Sequence, residues 1–329
     1  MYRFFTLFLS RNTSVRLISG ELRAFDMANS TKKTKALSLN GGLKSFLGYL
    51  EGTQKSTNTI KNYRLDIQSF LDFISAQYPG KNIGYKDIGR HDIEEYRKEL
   101  QKQGLMTNTR RRKLLTVTQF LGYLAKRKKA SQSLSQKFAA PHKVEKVPYT
   151  LSSEALLLAI HTLPSLTFLE ERNRLLLWIL AETGCLVSEV SQLRFDQWKL
   201  SAKKIAHVEF FGKSLRSVPV SMELFHAVEK FRKREGSNPQ WIFLGFNKFG
   251  SLGHPITDRG VELLVKAYAK KLGSEDLTPR TFRHSAVVFW FKQGLKIPEI
   301  QARLGLKTPY AFRAYEPLFK SMSGTKPKE

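Results

Sequence analysis

The sequence has a single cysteine, Cys185, among 329 residues. One cysteine forms no intramolecular disulfide and supplies no cysteine-based zinc site. Secreted disulfide scaffolds and zinc fingers are therefore excluded, and a reducing compartment fits the chain best.

Long apolar runs are also missing. The longest are short patches such as residues 175–180, whereas a membrane-spanning helix needs about 20 apolar residues. The chain is 41% hydrophobic and 12% aromatic, which excludes disordered and fibrous classes. Its length predicts two globular domains.

Acidic residues are scarce. The chain has 28 Asp and Glu against 55 Lys and Arg, a net charge of +27, and residues 104–144 contain no acid at all. Because a merely soluble surface normally mixes both signs, this stretch predicts a phosphate-facing stripe. Nucleic acid is the first expected partner and an anionic membrane surface the second.

Residues 1–35 form an uncertain N-terminal extension. A short apolar segment among arginines is typical of a weak targeting signal, but its apolar core is too short for a signal peptide. A start codon assigned too early, with Met27 opening the chain, is the preferred interpretation. These residues are left out of the fold prediction.

Apolar residues recur at spacings of three and four in the first domain, predicted over residues 36–130. They indicate four short helices and therefore a small all-α domain. The helices are predicted at residues 43–50, 56–74, 92–100 and 109–126.

A linker is predicted over residues 131–149, where periodicity is lost and prolines appear. The second domain, residues 150–329, is predicted to be helical with one β-hairpin at 205–220, because that segment is rich in Val and Phe and broken by a glycine. Its helices are predicted at 153–163, 170–182, 187–194, 222–234, 257–272, 280–293 and 297–304.

Two common site types are excluded by spacing. Gly212-Lys213-Ser214 ends like a phosphate-binding P-loop, but the required first glycine is missing and a strand follows instead of a helix. The seven histidines show no metal-ligand spacing. The sequence therefore predicts neither a cofactor nor a metal.

Four segments carry motifs in a fixed order: residues 183–189, the hairpin around Lys213, residues 279–284 and residues 304–315. In this order they resemble the motifs of the tyrosine recombinases, the phage-integrase and Xer-like site-specific DNA recombinases. The N-terminal part around Thr59 and residues 109–115 is similar to the family's helical core-binding, SAM-like domain. The resemblance covers roughly residues 40–320. It implies that the two domains form a C-shaped clamp around DNA and that the second is the catalytic-type domain.

The catalytic boxes lie in that second domain. Residues 183–189, T-G-C-L-V-S-E, resemble the family's T-G-x-R-[VI]-S-E box, which puts Glu189 in the acidic position. Lys213 resembles the hairpin lysine that acts as general acid. Residues 279–284 resemble the H-x-x-R-H box, with Arg283 at the second catalytic arginine. Tyr315, nine residues after an L-G-L sequence, resembles the nucleophilic tyrosine.

Three family positions carry other residues. Leu186 stands where the first catalytic arginine belongs, Arg280 replaces a histidine, and Leu306 replaces the histidine of the L-G-H box. Arg280 and Arg283 share a predicted helix face, so both guanidinium groups can meet one phosphate.

The resemblance predicts a protein that binds double-stranded DNA and whose strand-transfer activity is impaired or lost. The alternative is an active recombinase that cuts and rejoins DNA through a 3′-phosphotyrosyl intermediate, with Arg280 and Arg283 clamping the phosphate. A basic RNA-binding or membrane-surface protein is a third possibility, but the chain lacks an RNA motif and a strongly amphipathic basic helix.

The expected partners are DNA and a second copy or a related recombinase, as a dimer or tetramer on DNA. The expected location is the cytoplasm, on the nucleoid. The predicted DNA-binding residues are Thr59, Arg110, Arg111, Arg112, Lys113, Lys126, Arg127, Lys128, Lys129 and Arg216.

Overall fold

The computed structural model describes residues 39–127, 140–211, 215–235, 240–247 and 249–323. The chain divides into two compact units between Lys143 and Val144. Within the described ranges, no helix has the length and apolar character needed to cross a membrane. The extension at 1–35, Lys128, Lys129 and Lys213 lie outside the described residues.

The N-terminal unit contains the four predicted helices, each slightly longer than the sequence indicated. A short 3₁₀ turn, Tyr85–Asp87, precedes the third of them. The helices are α1 (Leu39–Gly52), α2 (Thr57–Gln77), α3 (Arg90–Lys102) and α4 (Thr107–Arg127).

The core of this unit follows from the apolar spacing. Helix α2 begins after Ser56, whose hydroxyl accepts a hydrogen bond from the backbone N–H of Thr59 at 3.2 Å. From that start, Phe70 falls on the inner face and meets the ring of Tyr96 on α3 edge-on, with centroids 5.1 Å apart. Phe120 of α4 is fully buried in the same cluster.

The C-terminal unit is helical with two small antiparallel sheets, which confirms the predicted mainly α fold class. Its helices are α5 (Ser153–His161), α6 (Phe168–Thr183), α7 (Val187–Val190), α8 (Met222–Glu235), α9 (Asp258–Tyr268), α10 (Pro279–Lys292), α11 (Ile297–Leu304) and α12 (Glu316–Ser323), with a 3₁₀ segment (Pro309–Tyr315) before the last.

Its strands are β1 (Trp198–Leu200), β2 (Ala206–Phe210), β3 (Arg216–Pro219), β4 (Leu244–Asn247) and β5 (Gly250–Pro255). The first three form a sheet of order β1-β2-β3, and β4 and β5 form a two-stranded hairpin.

Helix α6 lies at the centre of this unit. Residues 175–181 are all buried, so this stretch is apolar around its whole circumference, as expected of a helix surrounded by other elements. Helices α5, α8 and α10 pack against it. Because α10 carries the predicted H-x-x-R-H box, this packing fixes the candidate site to the core.

Two local differences from the predicted elements have clear causes. Helix α7 ends at Val190 instead of residue 194, because the carbonyl of Leu193 accepts a hydrogen bond from Ile242 N at 2.9 Å and Arg194 forms a bridge with Trp241. The hairpin of β4 and β5 was not predicted. Its sequence is rich in glycine and lacks alternating apolar residues, which are the usual strand signal.

Candidate active site

The site is organised around the end of α6. Gly184 terminates that helix with φ +55°, a left-handed conformation that favours glycine. A Cβ at this position would lie 3.1 Å from the Cβ of Ala286 and 3.5 Å from the Cα of Arg283, both on α10. Glycine therefore permits both the turn and the close approach of α10.

Arg283 uses that approach. Its guanidinium donates one hydrogen bond to the carbonyl of Gly184, at 2.7 Å, and another to the carbonyl of Leu304 at the end of α11, at 2.8 Å. Burial, and next the charge of Arg216, lowers the pKa of Arg283 below its ordinary value. A guanidinium has more N–H groups than these contacts use, so Arg283 retains donors for a phosphate.

Leu186 brings no charge to the site. Its side chain is 46% exposed, and its backbone N–H donates to Oε2 of Glu189 at 2.6 Å. Leu186 thus precedes the first turn of α7, and the Glu189 side chain caps the start of that helix by accepting the N–H of Leu186. The position where the family has an arginine holds an open aliphatic side chain.

Glu189 and Arg216 form a buried ion pair that joins α7 to β3. Nη2 of Arg216 donates to Oε2 of Glu189 at 2.7 Å, and Nη1 contacts Oε1. Nε of Arg216 donates to the carbonyl of Arg303 at 2.7 Å, and the guanidinium lies over the ring of Phe210. The Arg216 side chain is 5% exposed. The predicted role of Arg216 in DNA binding is therefore not supported by its position, because the side chain lies inside the domain.

We expect Glu189→Ala to destabilise the C-terminal unit by about 3–5 kcal/mol, because it leaves the buried guanidinium of Arg216 unpaired. All four tryptophans, Trp178, Trp198, Trp241 and Trp290, belong to this unit. Denaturant unfolding of the full chain, followed by tryptophan fluorescence, therefore measures the effect.

The matched control is Asp196→Ala, which breaks the pair between Asp196 and Arg194, whose side chains are 59% and 40% exposed. Exposed pairs contribute at most about 1 kcal/mol. Equal losses for the two variants would contradict the structural importance of the buried pair.

Tyr315 ends the 3₁₀ segment and is 6% exposed. Its ring is nearly parallel to that of Phe319, with centroids 5.7 Å apart. Burial raises the pKa of Tyr315 to about 12, and Arg283 acts in the opposite direction. The phenol is therefore protonated at neutral pH.

The phenol oxygen of Tyr315 lies 2.5 Å from Nδ1 of His284, on α10. Burial, and then the charges of Arg280 and Arg283, lowers the pKa of His284 below its ordinary value. The imidazole is therefore neutral at neutral pH. His284 matches the final histidine of the H-x-x-R-H box and directly follows Arg283, but the motif did not indicate its contact with Tyr315.

The side chain of Arg280 is exposed, and within the described ranges it makes no hydrogen bond or ion pair. It borders a cavity of about 620 Å³ together with Val187, the neighbour of Leu186, and with Lys266 of α9. Leu306 borders a different cavity, of about 630 Å³, together with Arg216 and Leu215. The structure thus gathers Arg283, Glu189 and Tyr315 near the end of α6, with Arg280 exposed at the edge of this region.

We expect Arg280→Gln to raise the pKa of His284, because it removes a positive charge that disfavours the imidazolium. The measurement is a pH titration of ¹⁵N-labelled histidine signals by NMR. Lys292→Gln, at the far end of α10, is the control and should leave that pKa unchanged. A pKa that stays the same in Arg280→Gln would show that the charge of Arg280 does not act on His284.

The basic stripe of the N-terminal unit is partly neutralised in space. Asp66 of α2 is 2% exposed and contacts Arg112, and its other oxygen lies 3.7 Å from Nζ of Lys113. Arg112 is 48% exposed, so it still reaches solvent, whereas the Lys113 side chain is only 16% exposed. A stretch without acids in the sequence is therefore not free of acids in the fold.

The remaining predicted DNA-binding residues differ in the hydrogen bonds that their side chains make. Arg111 donates to the carbonyl of Pro141 at 2.6 Å, and Arg110 donates to Oγ1 of Thr107 at 3.2 Å. Arg127 donates hydrogen bonds to the hydroxyls of Ser45 and Tyr123. The hydroxyl of Thr59 is hydrogen-bonded to that of Ser56. Lys126 is exposed. Lys126 lines a cavity of about 580 Å³ with Tyr49 and Tyr63, between α1, α2 and α4.

The sequence matches two family descriptions. Residues 151–320 match the phage integrase family, and residues 43–128 match the N-terminal SAM-like domain of phage integrases. The helical unit followed by a domain in which a buried tyrosine lies near Arg283 and Glu189 is thus of the tyrosine recombinase class. The chain belongs to the phage integrase family.

Curated relatives are similar over most of the chain. Tyrosine recombinase XerC of Herpetosiphon aurantiacus is 28% identical over 273 residues, which cover 80% of this chain and 86% of that protein. Tyrosine recombinase XerC of Roseiflexus castenholzii is 25% identical over 278 residues, 81% of this chain and 85% of that protein.

Solved structures share the fold. The XerH recombinase in its post-cleavage complex with palindromic difH DNA has a TM-score of 0.67 at 17% identity, covering 88% of this chain and 84% of that chain. A lambda integrase dimer bound to a COC′ core site has a TM-score of 0.59 at 14% identity, covering 88% and 79%. The fold-class prediction and the family resemblance are confirmed.

Proposed function

We propose that this protein binds duplex DNA at a defined sequence, as a member of a recombinase assembly, and that its strand transfer is impaired compared with active members of the family. The observation that carries the proposal is Leu186, an exposed aliphatic side chain where the family has an arginine. The fold, the core and the candidate nucleophile are retained around it.

DNA binding is supported by charge. The net charge of +27 attracts a polyanion, and exposed basic side chains such as Arg112 and Lys126 lie on α4. The similar recombinases XerH and lambda integrase were solved bound to DNA, the latter as a dimer or tetramer. A second copy, or a related recombinase on the same DNA, is the proposed partner.

Impaired chemistry is supported by the missing charge at the phosphate. Attack of a phenol on a phosphodiester develops negative charge on the phosphate oxygens, which arginines stabilise through paired hydrogen bonds. Removing one such arginine costs about 10³ to 10⁵ in rate. Arg280 does not supply the missing contact in this proposal, because it is exposed and, among the described residues, no hydrogen bond or ion pair holds its guanidinium in place.

An active recombinase is the second candidate. The observation that favours it is the hydrogen bond between Tyr315 and the neutral His284, because it pairs the candidate nucleophile with a group that can accept its proton. Arg283 also remains oriented by two carbonyls. In this candidate Arg283 and Arg280 together meet the phosphate.

The deciding experiment is covalent trapping. Selection from a random duplex library first identifies the bound sequence, and a nicked suicide substrate containing it is then incubated with the protein. We expect a stable complex but adduct formation at least about 10³-fold slower than for an active recombinase. A Tyr315-dependent adduct at ordinary rates would establish the second candidate, and failure to select any sequence would contradict site-specific binding.

A further inference from the structure

We propose that His284 accepts the proton of Tyr315 when the phenol attacks a DNA phosphate. The inference rests on the proposed function only because it takes this cluster as the strand-transfer site. The proposed rate loss arises at the phosphate, where Leu186 brings no charge, and not at the nucleophile.

The geometry is that of a nucleophile with its base. Nδ1 of His284 and the phenol oxygen of Tyr315 are 2.5 Å apart, within the reach required for proton transfer. Among the described residues, the phenol of Tyr315 is hydrogen-bonded to this imidazole alone. Tyr315 stacks on Phe319, which stacks on Phe291 of α10 at 3.9 Å, so the ring is held against the helix that carries His284.

The two histidine positions at which this chain carries other residues supply no alternative base. Arg280 has no acceptor atom and stays charged, and Leu306 is apolar. His284 is the histidine that remains beside the nucleophile, and a neutral imidazole has one ring nitrogen free to accept a proton.

The charges around His284 favour that neutral form. Arg280 and Arg283, on its own helix, are the charged groups that act on the imidazole, and the packed 3₁₀ segment presents the phenol of Tyr315. An arriving phosphate adds negative charge, which stabilises the imidazolium formed by proton transfer. Proton acceptance is thus coupled to the presence of DNA.

In the proposed step, the phenol oxygen of Tyr315 bonds to phosphorus while its proton moves to Nδ1 of His284. The bond between phosphorus and the 5′ oxygen breaks, and that oxygen takes a proton from water. The products are a 3′-phosphotyrosyl bond, a free 5′ hydroxyl and a protonated His284, which returns its proton to solvent.

The first test is spectroscopic and needs no turnover. In the full chain labelled with ¹⁵N-histidine, we expect His284 to be neutral at neutral pH, with its proton on Nε2 and with Nδ1 accepting the hydrogen bond from Tyr315. Tyr315→Phe should shift the Nδ1 signal. Tyr268→Phe, which removes a phenol hydrogen-bonded to Asn173, should not. A proton on Nδ1, or no response to Tyr315→Phe, would overturn the proposal.

The second test is kinetic. Adduct formation on the suicide substrate is measured for His284→Ala in the Leu186→Arg background, where we expect the added guanidinium to raise the rate. We expect a loss of about 10²- to 10⁴-fold, with recovery on adding free imidazole. A merely structural role predicts a loss that imidazole does not restore. A rapid adduct from unaltered protein would refute impaired transfer but leave the His284 assignment standing.

Discussion

Restoring the three family residues, with Leu186→Arg, Arg280→His and Leu306→His together, should raise the rate of covalent adduct formation by about 10³-fold or more. Leu186 is the decisive position, because it lacks the charge that would oppose the developing charge on the phosphate. Its 46% exposure lets an arginine reach solvent when DNA is absent, so no buried unpaired charge is created.

The measurement is adduct formation on a suicide duplex carrying the selected site. Leu166→Arg is the matched control, because it adds an arginine at a leucine that is 87% exposed and outside the site. Adding Tyr315→Phe to the restored protein should abolish the adduct while DNA affinity stays nearly unchanged. A restored protein as slow as the starting one would show that the deficiency lies elsewhere.

DNA affinity should fall about 10³-fold between roughly 50 and 200 mM salt, because each neutralised phosphate contributes a slope of about −0.9 in log K against log salt. Six or more contacts give a slope of about −5 or steeper. Filter binding or fluorescence anisotropy at several salt concentrations measures the slope. A flat response would contradict phosphate contact by the basic stripe.

The charge-removal variant is best made at Arg111, Lys126 and Arg127, each changed to glutamine. Arg112 and Lys113 are avoided, because both are paired with the buried carboxylate of Asp66. The triple variant should weaken binding to all sequences alike and reduce the slope by up to about 2.7, since phosphate contacts position without specifying. Lys98→Gln with Lys102→Gln, on α3, is the control. A loss restricted to one sequence would indicate base reading.

Helices could be predicted because their signal is local. The apolar spacing in α2 and α4 depends only on which residues lie three or four apart, and it placed both within a few residues. The early end of α7 depends on Ile242, a residue 49 positions after Leu193. A contact of that separation leaves no mark in the local pattern.

The site could be predicted in order but not in contact. Motif spacing singled out Tyr315, Arg283 and Glu189, and the structure gathers them near the end of α6. Motif spacing did not indicate the hydrogen bond between Tyr315 and His284, because that bond depends on how the 3₁₀ segment packs on α10. Likewise, Arg216 was predicted to bind DNA, whereas the structure shows that its guanidinium forms an ion pair with Glu189 inside the domain.

Neighbouring positions at the end of α6 differ sharply in mutational tolerance. At Gly184 any side chain meets a left-handed backbone, which costs about 1–2 kcal/mol, and also crowds Ala286. Two residues later, Leu186 is 46% exposed and only its backbone is hydrogen-bonded, so the fold constrains its side chain weakly. A substitution at position 186 can therefore remove a charge from the site at little cost to the fold, whereas a substitution at position 184 disturbs the fold itself.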